Sequence, residues 1–143
     1  MPTMKLRDIP SAGMRWKNLP GDFYRTTQLG DMEVGFTSLP FTVDCTQTYK
    51  EGGLAGGVCG CPHYGYVIKG KIRCVYPGTG MPDDVAGEGE VYYFPSGHVL
   101  IYEEPTDAVE FNPAAALQDL MNGMDRAMER RTAAAEDQEA NKT

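Results

Sequence analysis

The stretch CGCPHYGYVIKG, residues 59–70, contains two of the chain's four cysteines and one of its two histidines. Cys59, Cys61 and His63 are spaced by two, and side chains two apart in an extended strand share a face. The aromatic and β-branched residues that follow favour a strand. Both faces of that strand are mixed in polarity, and a bulge would exchange them, so the pattern alone does not decide which face points inward.

The residues before this stretch also alternate in polarity. DMEVGFTSL, residues 31–39, places Met32, Val34 and Phe36 on one face, which is typical of a half-buried strand. PFTVDCTQTYK, residues 40–50, repeats the alternation and predicts a second strand.

The residues after the stretch continue as short apolar segments. KIRCVYPG, residues 71–78, predicts a hairpin with the preceding strand around a turn at residues 69–70. VYYFPSGHVLIYEEPTDAVEFNP, residues 91–113, predicts two or three further strands. Because no parallel strand–helix–strand rhythm is present, these strands indicate an antiparallel sandwich or barrel.

The chain is expected to form one domain with two appendages. Residues 1–21 are predicted to form an N-terminal arm that Trp16 pins to the body, and residues 22–112 the β-domain. A helix is predicted over 113–132 and a disordered polar tail over 133–143.

The predicted helix has a start signal and one apolar stripe. Asn112 followed by Pro113 is typical of an N-cap with proline at the first helical position. Gly123 weakens the helix by about 1 kcal/mol relative to alanine. We expect the stripe to lie on the sheet, with a dimer contact or a ligand lid as open alternatives; its residues are Leu117, Leu120, Met121, Met124 and Met128.

Composition excludes several classes of function. The formal net charge of −7 disfavours a nucleic-acid partner, because phosphates repel an acidic surface. No run of eighteen apolar residues predicts a membrane span, and the first residues lack the apolar core of a signal peptide. We therefore expect a cytoplasmic protein with reduced thiols.

The residues most suited to chemistry are cysteines and histidines. Cys59, Cys61 and His63, together with His98 from a second strand region, would supply two thiolates and two imidazoles for tetrahedral zinc. Thiolate ligands argue against magnesium or calcium. Two other interpretations stay open, namely that the thiols only fill the core or that they perform redox or nucleophilic chemistry.

The remaining candidates are weaker. A disulfide between residues 59 and 61 is disfavoured, because positions two apart in a strand are about 7 Å apart, at the limit of bridging. Cys45 and Cys74 are predicted to pack in the core. Glu110 is predicted to point outward, with a cavity-facing side chain as the alternative. The sequence contains neither a nucleophile elbow nor a phosphate-binding loop.

The spacing of glycine and proline resembles that of the cupin superfamily. GEGEVYYFPSG, residues 87–97, matches its second motif through Gly89, Pro95 and Gly97. The first motif ends with an acidic ligand, six residues and a glycine, a frame that His63 and Gly70 occupy here. The resemblance covers residues 30 to 112 and implies a small, single-domain, cupin-2-like bacterial protein. It implies an all-β jelly-roll barrel, a double-stranded β-helix.

The departures from the cupin pattern fall on its metal ligands. Gly57 stands at the first expected histidine, Cys59 at the second, and His63 at the glutamate. The last histidine is expected at Leu100, whereas His98 lies two positions earlier. By analogy with the family, positions 59 and 63 face the barrel interior, so the implied metal set is Cys59, Cys61, His63 and His98.

Three functions follow from this resemblance. The first is an enzyme that uses a divalent metal, zinc favoured over iron, on a small organic molecule at the barrel mouth, with Tyr66, Tyr93 or Tyr102 as hydrogen-bond donor or acid. The second is a non-catalytic sensor or storage protein that binds a small molecule or metal. The third is a metal-free scaffold, and a homodimer is expected because cupins commonly dimerise.

Overall fold

The computed structural model describes residues 3–19 and 21–142, and its strands form two antiparallel sheets. The first sheet has the order β1-β2-β9-β4-β7 and the second β3-β8-β5-β6. The strands are β1 (Tyr24–Leu29), β2 (Met32–Leu39), β3 (Val43–Asp44), β4 (His63–Lys69), β5 (Lys71–Val75), β6 (Asp84–Gly87), β7 (Val91–Phe94), β8 (Val99–Tyr102) and β9 (Thr106–Pro113). Among the described residues no named strand of one sheet pairs with a strand of the other, so the expected closed barrel is an open two-sheet arrangement.

The predicted hairpin at residues 69–70 is wrong. β4 pairs with β7 and β9, whereas β5 pairs with β6 and β8, so the chain changes sheet between them. Gly70 makes this corner with φ +103°, and a Cβ there would lie 2.7 Å from Thr106 Cα. Only glycine adopts this conformation without strain in so crowded a place.

The strand predicted over residues 40–50 is confined to two residues, and the second half of the segment is a helix. Only Val43 and Asp44 pair as β3, and helix α1 follows over Thr46–Glu51. The Asp44 carboxylate accepts hydrogen bonds from the Thr46 backbone N–H at 2.9 Å and its hydroxyl at 2.6 Å. Asp44 thereby closes a local turn just before Cys45, the N-cap residue, and favours a helix where alternation predicted a strand.

The N-terminal arm is fastened to the C-terminal helix. Trp16 is buried, as expected, and its indole N–H donates to Asn122 Oδ1 at 3.0 Å. Asn18 donates to Asp125 at 2.9 Å, and Arg15 donates to Gln118 at 3.0 Å. Two short 3₁₀ turns, Leu6–Asp8 and Ala12–Met14, lie in the arm.

Helix α2 runs over Ala114–Ala140, beyond its predicted end at residue 132. Residues 133–140, expected to be disordered, continue the helix as exposed turns. Pro113 stands at the N-cap position, and Asn112 belongs to β9 instead of capping the helix. The apolar stripe is confirmed by the burial of Leu117, Leu120 and Met121.

The glycine within α2 lies where the two helices touch. A Cβ at Gly52, the C-cap of α1, would overlap the carbonyl oxygen of Gly123. A Cβ at Gly123 would lie 2.5 Å from Leu54 Cδ2. The close packing at position 123 therefore favours glycine, although glycine lowers the stability of the helix itself.

The core contains the two cysteines that were predicted to pack there. Cys45 and Cys74 are buried with free thiols, among the apolar side chains of the core cluster. No helix of the described part of the chain is long and apolar enough to cross a membrane.

Candidate metal centre and its cavity

Three of the four predicted metal ligands meet inside the protein. One ligand atom each from Cys59, His63 and His98 lies within 4.8 Å of the other two, and all three residues are buried. Cys59 Sγ lies 3.6 Å from His63 Nε2, and the imidazole centroids are 4.9 Å apart. The geometry thus brings one thiol and two imidazoles to one point between the sheets.

The backbone brings Cys59 opposite His98. The Cys59 N–H donates to the His98 carbonyl at 2.7 Å, and the Gly97 N–H donates to the Cys59 carbonyl at 2.8 Å. This isolated antiparallel bridge joins the start of one strand to the start of another. Gly97, at φ +96°, makes the turn that delivers His98 to it.

A hydrogen bond fixes the proton on the His63 ring. His63 Nδ1 lies 2.9 Å from Asn112 Oδ1, and the Asn112 amide N–H₂ donates to Glu110 Oε2 at 3.3 Å. Since the amide oxygen only accepts, Nδ1 carries the proton and Nε2 presents a lone pair to the cluster. Glu110 Oε2, 3.7 Å from Nδ1, adds a negative charge behind the ring.

The His98 ring has the same tautomer for a similar reason. Its Nδ1 lies 2.6 Å from the Pro95 carbonyl, which only accepts, so Nδ1–H donates and Nε2 has the lone pair. That Nε2 is buried and has no hydrogen-bond partner among the described residues. Burial, with the nearby His63 as a further cause, lowers the pKa of His98 to about 4, so the ring is neutral at pH 7.

The sulfur of Cys59 is a thiol in the absence of metal. Burial raises the pKa of Cys59 far above its usual value. The thiol donates a weak hydrogen bond to the Cys61 carbonyl oxygen, which lies 3.6 Å from Cys59 Sγ. Binding of a metal ion would release this proton, because the thiolate is the ligand form.

Cys61, the fourth predicted ligand, lies outside the cluster. Its Sγ contacts the Pro62 carbonyl at 3.3 Å, although the residue is buried. Burial raises the pKa of Cys61 to about 12, so this thiol is protonated at neutral pH. Among the described residues, the group that could hold a metal ion therefore has three members, Cys59, His63 and His98.

Glu110 points inward, so the prediction of an outward charge is wrong. It is 5% exposed, and its Oε1 accepts a hydrogen bond from the Tyr92 hydroxyl at 2.9 Å. Thr106, Ala108, Glu110 and Asn112 share the buried face of β9, and Phe111 faces outward. Period-two alternation was present in the sequence, but three of the four residues on the buried face are polar.

A cavity of about 300 Å³ opens beside the cluster. His63 and Glu110 form part of its polar lining. Most of the side chains that line the cavity are apolar. Five of these residues belong to the α2 stripe: Leu117, Leu120, Met121, Met124 and Met128. Arg131 lines it as well, while its Nε pairs with Glu51 at 2.6 Å.

The three tyrosines expected to assist chemistry do not lie together. Tyr66 and Tyr93 are 43% and 54% exposed, on the outer face of the five-stranded sheet, away from the cavity. Tyr102 lines the cavity, and burial raises its pKa, so it keeps its proton. Tyr24, which was not predicted as a site residue, also lines the cavity.

Comparisons with known proteins give similarity of fold only. No family model matches the sequence, and no curated protein matches it. EutQ from Clostridium difficile is 16% identical, with a TM-score of 0.46 over 78% of this chain and 85% of that chain. A cupin-2 domain protein from Shewanella frigidimarina is 12% identical, with a TM-score of 0.44 over 78% and 95%.

A third similar structure belongs to a metalloprotein. Oxalate decarboxylase from Bacillus subtilis, which has Mn(II) centres, is 17% identical, with a TM-score of 0.42 over 63% of this chain and 24% of that chain. The structural neighbours therefore include cupins, the superfamily that the glycine and proline spacing resembles. This likeness concerns the fold and gives no metal, substrate or reaction.

Proposed function

We propose that this protein binds one divalent metal ion, zinc in preference to iron, through Cys59, His63 and His98. The observation that carries the proposal is the buried His98 Nε2, which has a lone pair, two further donor atoms nearby and no hydrogen-bond partner in the described part of the chain. Leaving such a group unpaired costs about 1–3 kcal/mol. A metal ion would remove that cost for His98.

The donor atoms fit zinc in type and spacing. Zinc binds Cys sulfur at about 2.3 Å and His nitrogen at about 2.0 Å, so a tetrahedral site separates S from N by about 3.5 Å. The observed distance from Cys59 Sγ to His63 Nε2 is 3.6 Å. Asn112 and Pro95 each hold the far nitrogen of an imidazole, an arrangement found behind most metal-binding histidines.

We further propose that the open coordination position makes the site functional and not only structural. Three protein ligands with one free position are typical of catalytic zinc, which polarises a bound oxygen or activates water. The cavity lined by His63 and Glu110 would hold a small, mainly apolar molecule beside the site. The reaction class proposed is metal-assisted isomerisation, cyclisation or elimination; a metal-loaded sensor is the non-catalytic alternative.

Elemental analysis of protein purified without a histidine tag tests this proposal. We expect about one zinc per chain in the wild type and in Cys61→Ser, and almost none in Cys59→Ser or His98→Ala. Cys74→Ser serves as the control for removal of a buried thiol elsewhere. Absence of metal from wild-type protein after reconstitution would reject the proposal, and loss of zinc in Cys61→Ser would indicate a closed, structural four-ligand site.

We also propose that the protein forms a homodimer. The outer face of β4, β7 and β9 exposes a group of large side chains: Tyr64, Tyr66, Val91, Tyr93 and Phe111. The Tyr64 and Tyr93 rings stack at 4.9 Å between centroids. Exposed apolar patches of this kind are typical of protein contacts, and a second copy is the partner proposed.

Sedimentation velocity tests the dimer. The double variant Tyr64→Ser/Tyr93→Ser should shift the protein to monomer, while Met81→Ser, an equally exposed residue in a loop, should not. A wild-type protein that remains monomeric at high concentration would contradict the dimer.

A further inference from the structure

The hydroxyl of Tyr24 is buried without a hydrogen-bond partner among the described residues. The hydroxyl of the neighbouring Thr26 donates its own proton to Glu33 Oε1 at 2.9 Å. A buried, unpaired hydroxyl costs about 1–3 kcal/mol. The fold therefore holds a polar group whose partner the described protein does not supply.

Tyr24 borders the polar end of the cavity. It lines the cavity together with His63, Glu110 and Tyr102. The Tyr24 side chain occupies the space above Gly35 of β2. A Cβ at Gly35 would lie 2.8 Å from the Tyr24 ring carbon Cε2. The ring can lie across β2 only because residue 35 has no side chain.

The same arrangement recurs on the other side of Glu110. Gly35 and Gly65 both pair with Glu110 in register, one from each neighbouring strand. A Cβ at Gly65 would overlap the Tyr92 ring, just as one at Gly35 would overlap Tyr24. Two tyrosines thus lie over two glycines on either side of one buried carboxylate.

The two tyrosines differ in what their hydroxyls do. The Tyr92 hydroxyl donates a hydrogen bond to Glu110 at 2.9 Å, whereas the Tyr24 hydroxyl has no acceptor among the described residues. Burial, and after it the charge of Glu110, raises the pKa of Tyr24 far above 10. Tyr24 therefore presents an O–H donor, and no anion, at neutral pH.

We propose that Tyr24 is a ligand-binding residue, which donates a hydrogen bond to the single acceptor oxygen of a small, otherwise apolar carbonyl compound. The ligand class follows from the cavity, whose lining combines apolar walls with the unpaired hydroxyl donor of Tyr24. Its methionines, Met121, Met124 and Met128, are flexible enough to adapt to the body of such a ligand. The inference deepens the proposed function and rests on it for the role of the metal. The hydrogen bond from Tyr24 to the ligand does not require the metal.

A pair of probes of equal shape tests the ligand class. Acetophenone has the acceptor oxygen, and α-methylstyrene replaces that oxygen with a methylene group. By NMR titration we expect the wild type to bind acetophenone about three- to tenfold more tightly, the ratio for one net hydrogen bond. Tyr24→Phe should abolish this preference and leave the affinity for α-methylstyrene unchanged, whereas Tyr93→Phe should match the wild type.

A second readout needs no ligand. Because the hydroxyl is unpaired, Tyr24→Phe should leave the melting temperature of the free protein unchanged or raise it. A fall of several degrees would show that the fold already satisfies the hydroxyl, and would overturn the inference. Equal binding of the two probes by the wild type, or no binding of either at millimolar concentration, would also overturn it.

Repeating the titration on zinc-loaded and chelator-treated protein separates the two proposals. A Tyr24-dependent preference in a protein that takes up no metal would reject the metal site alone. Stoichiometric zinc without any preference for acetophenone would reject the role of Tyr24 alone.

Discussion

At the scale of single residues, Asn112 decides which nitrogen His63 offers to the centre. Asn112→Leu removes the acceptor at Nδ1, so zinc affinity should fall about 10- to 100-fold, the usual effect of losing such a partner. Asn112→Asp keeps an acceptor oxygen there and should retain most of the affinity. Competition with a chromophoric chelator measures both, and equal affinities in the wild type and Asn112→Leu would contradict this role.

Asn112 and Glu110 also show where sequence reasoning stops. The spacing of residues 59, 61 and 63 predicted only a shared face, and the resemblance to cupins turned it inward. Cys59 and His63 do meet His98. Asn112 was predicted to cap a helix, and Glu110 to face solvent. The first prediction rested on the asparagine–proline signal for the start of a helix. The second assumed that a charge points outward, and that assumption fails on a sheet face that lines a polar site.

At the scale of elements, the crossing of α1 and α2 depends on two glycines. Gly52→Ala would drive a Cβ into the backbone of Gly123, which cannot move without moving the helix, so we expect a loss of about 2–3 kcal/mol in the free energy of unfolding. Gly123→Ala meets the end of the Leu54 side chain and should cost less. Gly13→Ala, with its nearest neighbour 3.5 Å away, is the control.

Denaturant titration of the three glycine variants gives their free energies of unfolding. If Gly52→Ala proves as stable as Gly13→Ala, the two helices are not in the close contact described.

The start of α1 should be sensitive to pH through Asp44. Hydrogen bonds from Thr46, the side-chain hydroxyl first, lower the pKa of Asp44 below 3.8 in the folded state. The carboxylate therefore contributes stability at neutral pH that is lost as the pH falls through the folded pKa. Asp44→Ala should cost about 1 kcal/mol at pH 7, with the difference from wild type shrinking below about pH 4.

Thermal melts of Asp44→Ala and wild type between pH 7 and pH 3 measure this difference. Asp44→Asn, which keeps an acceptor oxygen but does not titrate, should show a smaller loss at pH 7. A constant difference between Asp44→Ala and wild type across this range would mean that ionisation of Asp44 plays no part.

Helices and strands were predictable where a periodic pattern of buried apolar side chains determines them. The apolar stripe of α2 and the strand at residues 31–39 follow from periodicity, and both are present. The change of sheet at Gly70 was not predictable, because a tight glycine turn between two apolar strands has the same local pattern whether or not the strands pair. Helix α1 was hidden because a capping side chain, and not alternation, determines it.

At the scale of the whole molecule, the proposed metal would connect the two sheets. His63 begins β4 of the five-stranded sheet, and His98 immediately precedes β8 of the four-stranded sheet. A ligand that binds only the folded state at 1,000 times its dissociation constant adds about 4 kcal/mol, so a chelator should lower the melting temperature by roughly 10 °C. In His98→Ala the chelator should have no effect, and the same shift there would mean that it acts elsewhere.

The fastening of the arm to α2 has a practical consequence for experiments. Arg15, Trp16 and Asn18 contact Gln118, Asn122 and Asp125, successive turns of the helix whose other face walls the cavity. Purification tags or truncations near the arm can therefore disturb ligand affinity from a distance. Tags placed after the exposed final turns of α2 avoid this source of error, and comparing the two placements should accompany every binding measurement.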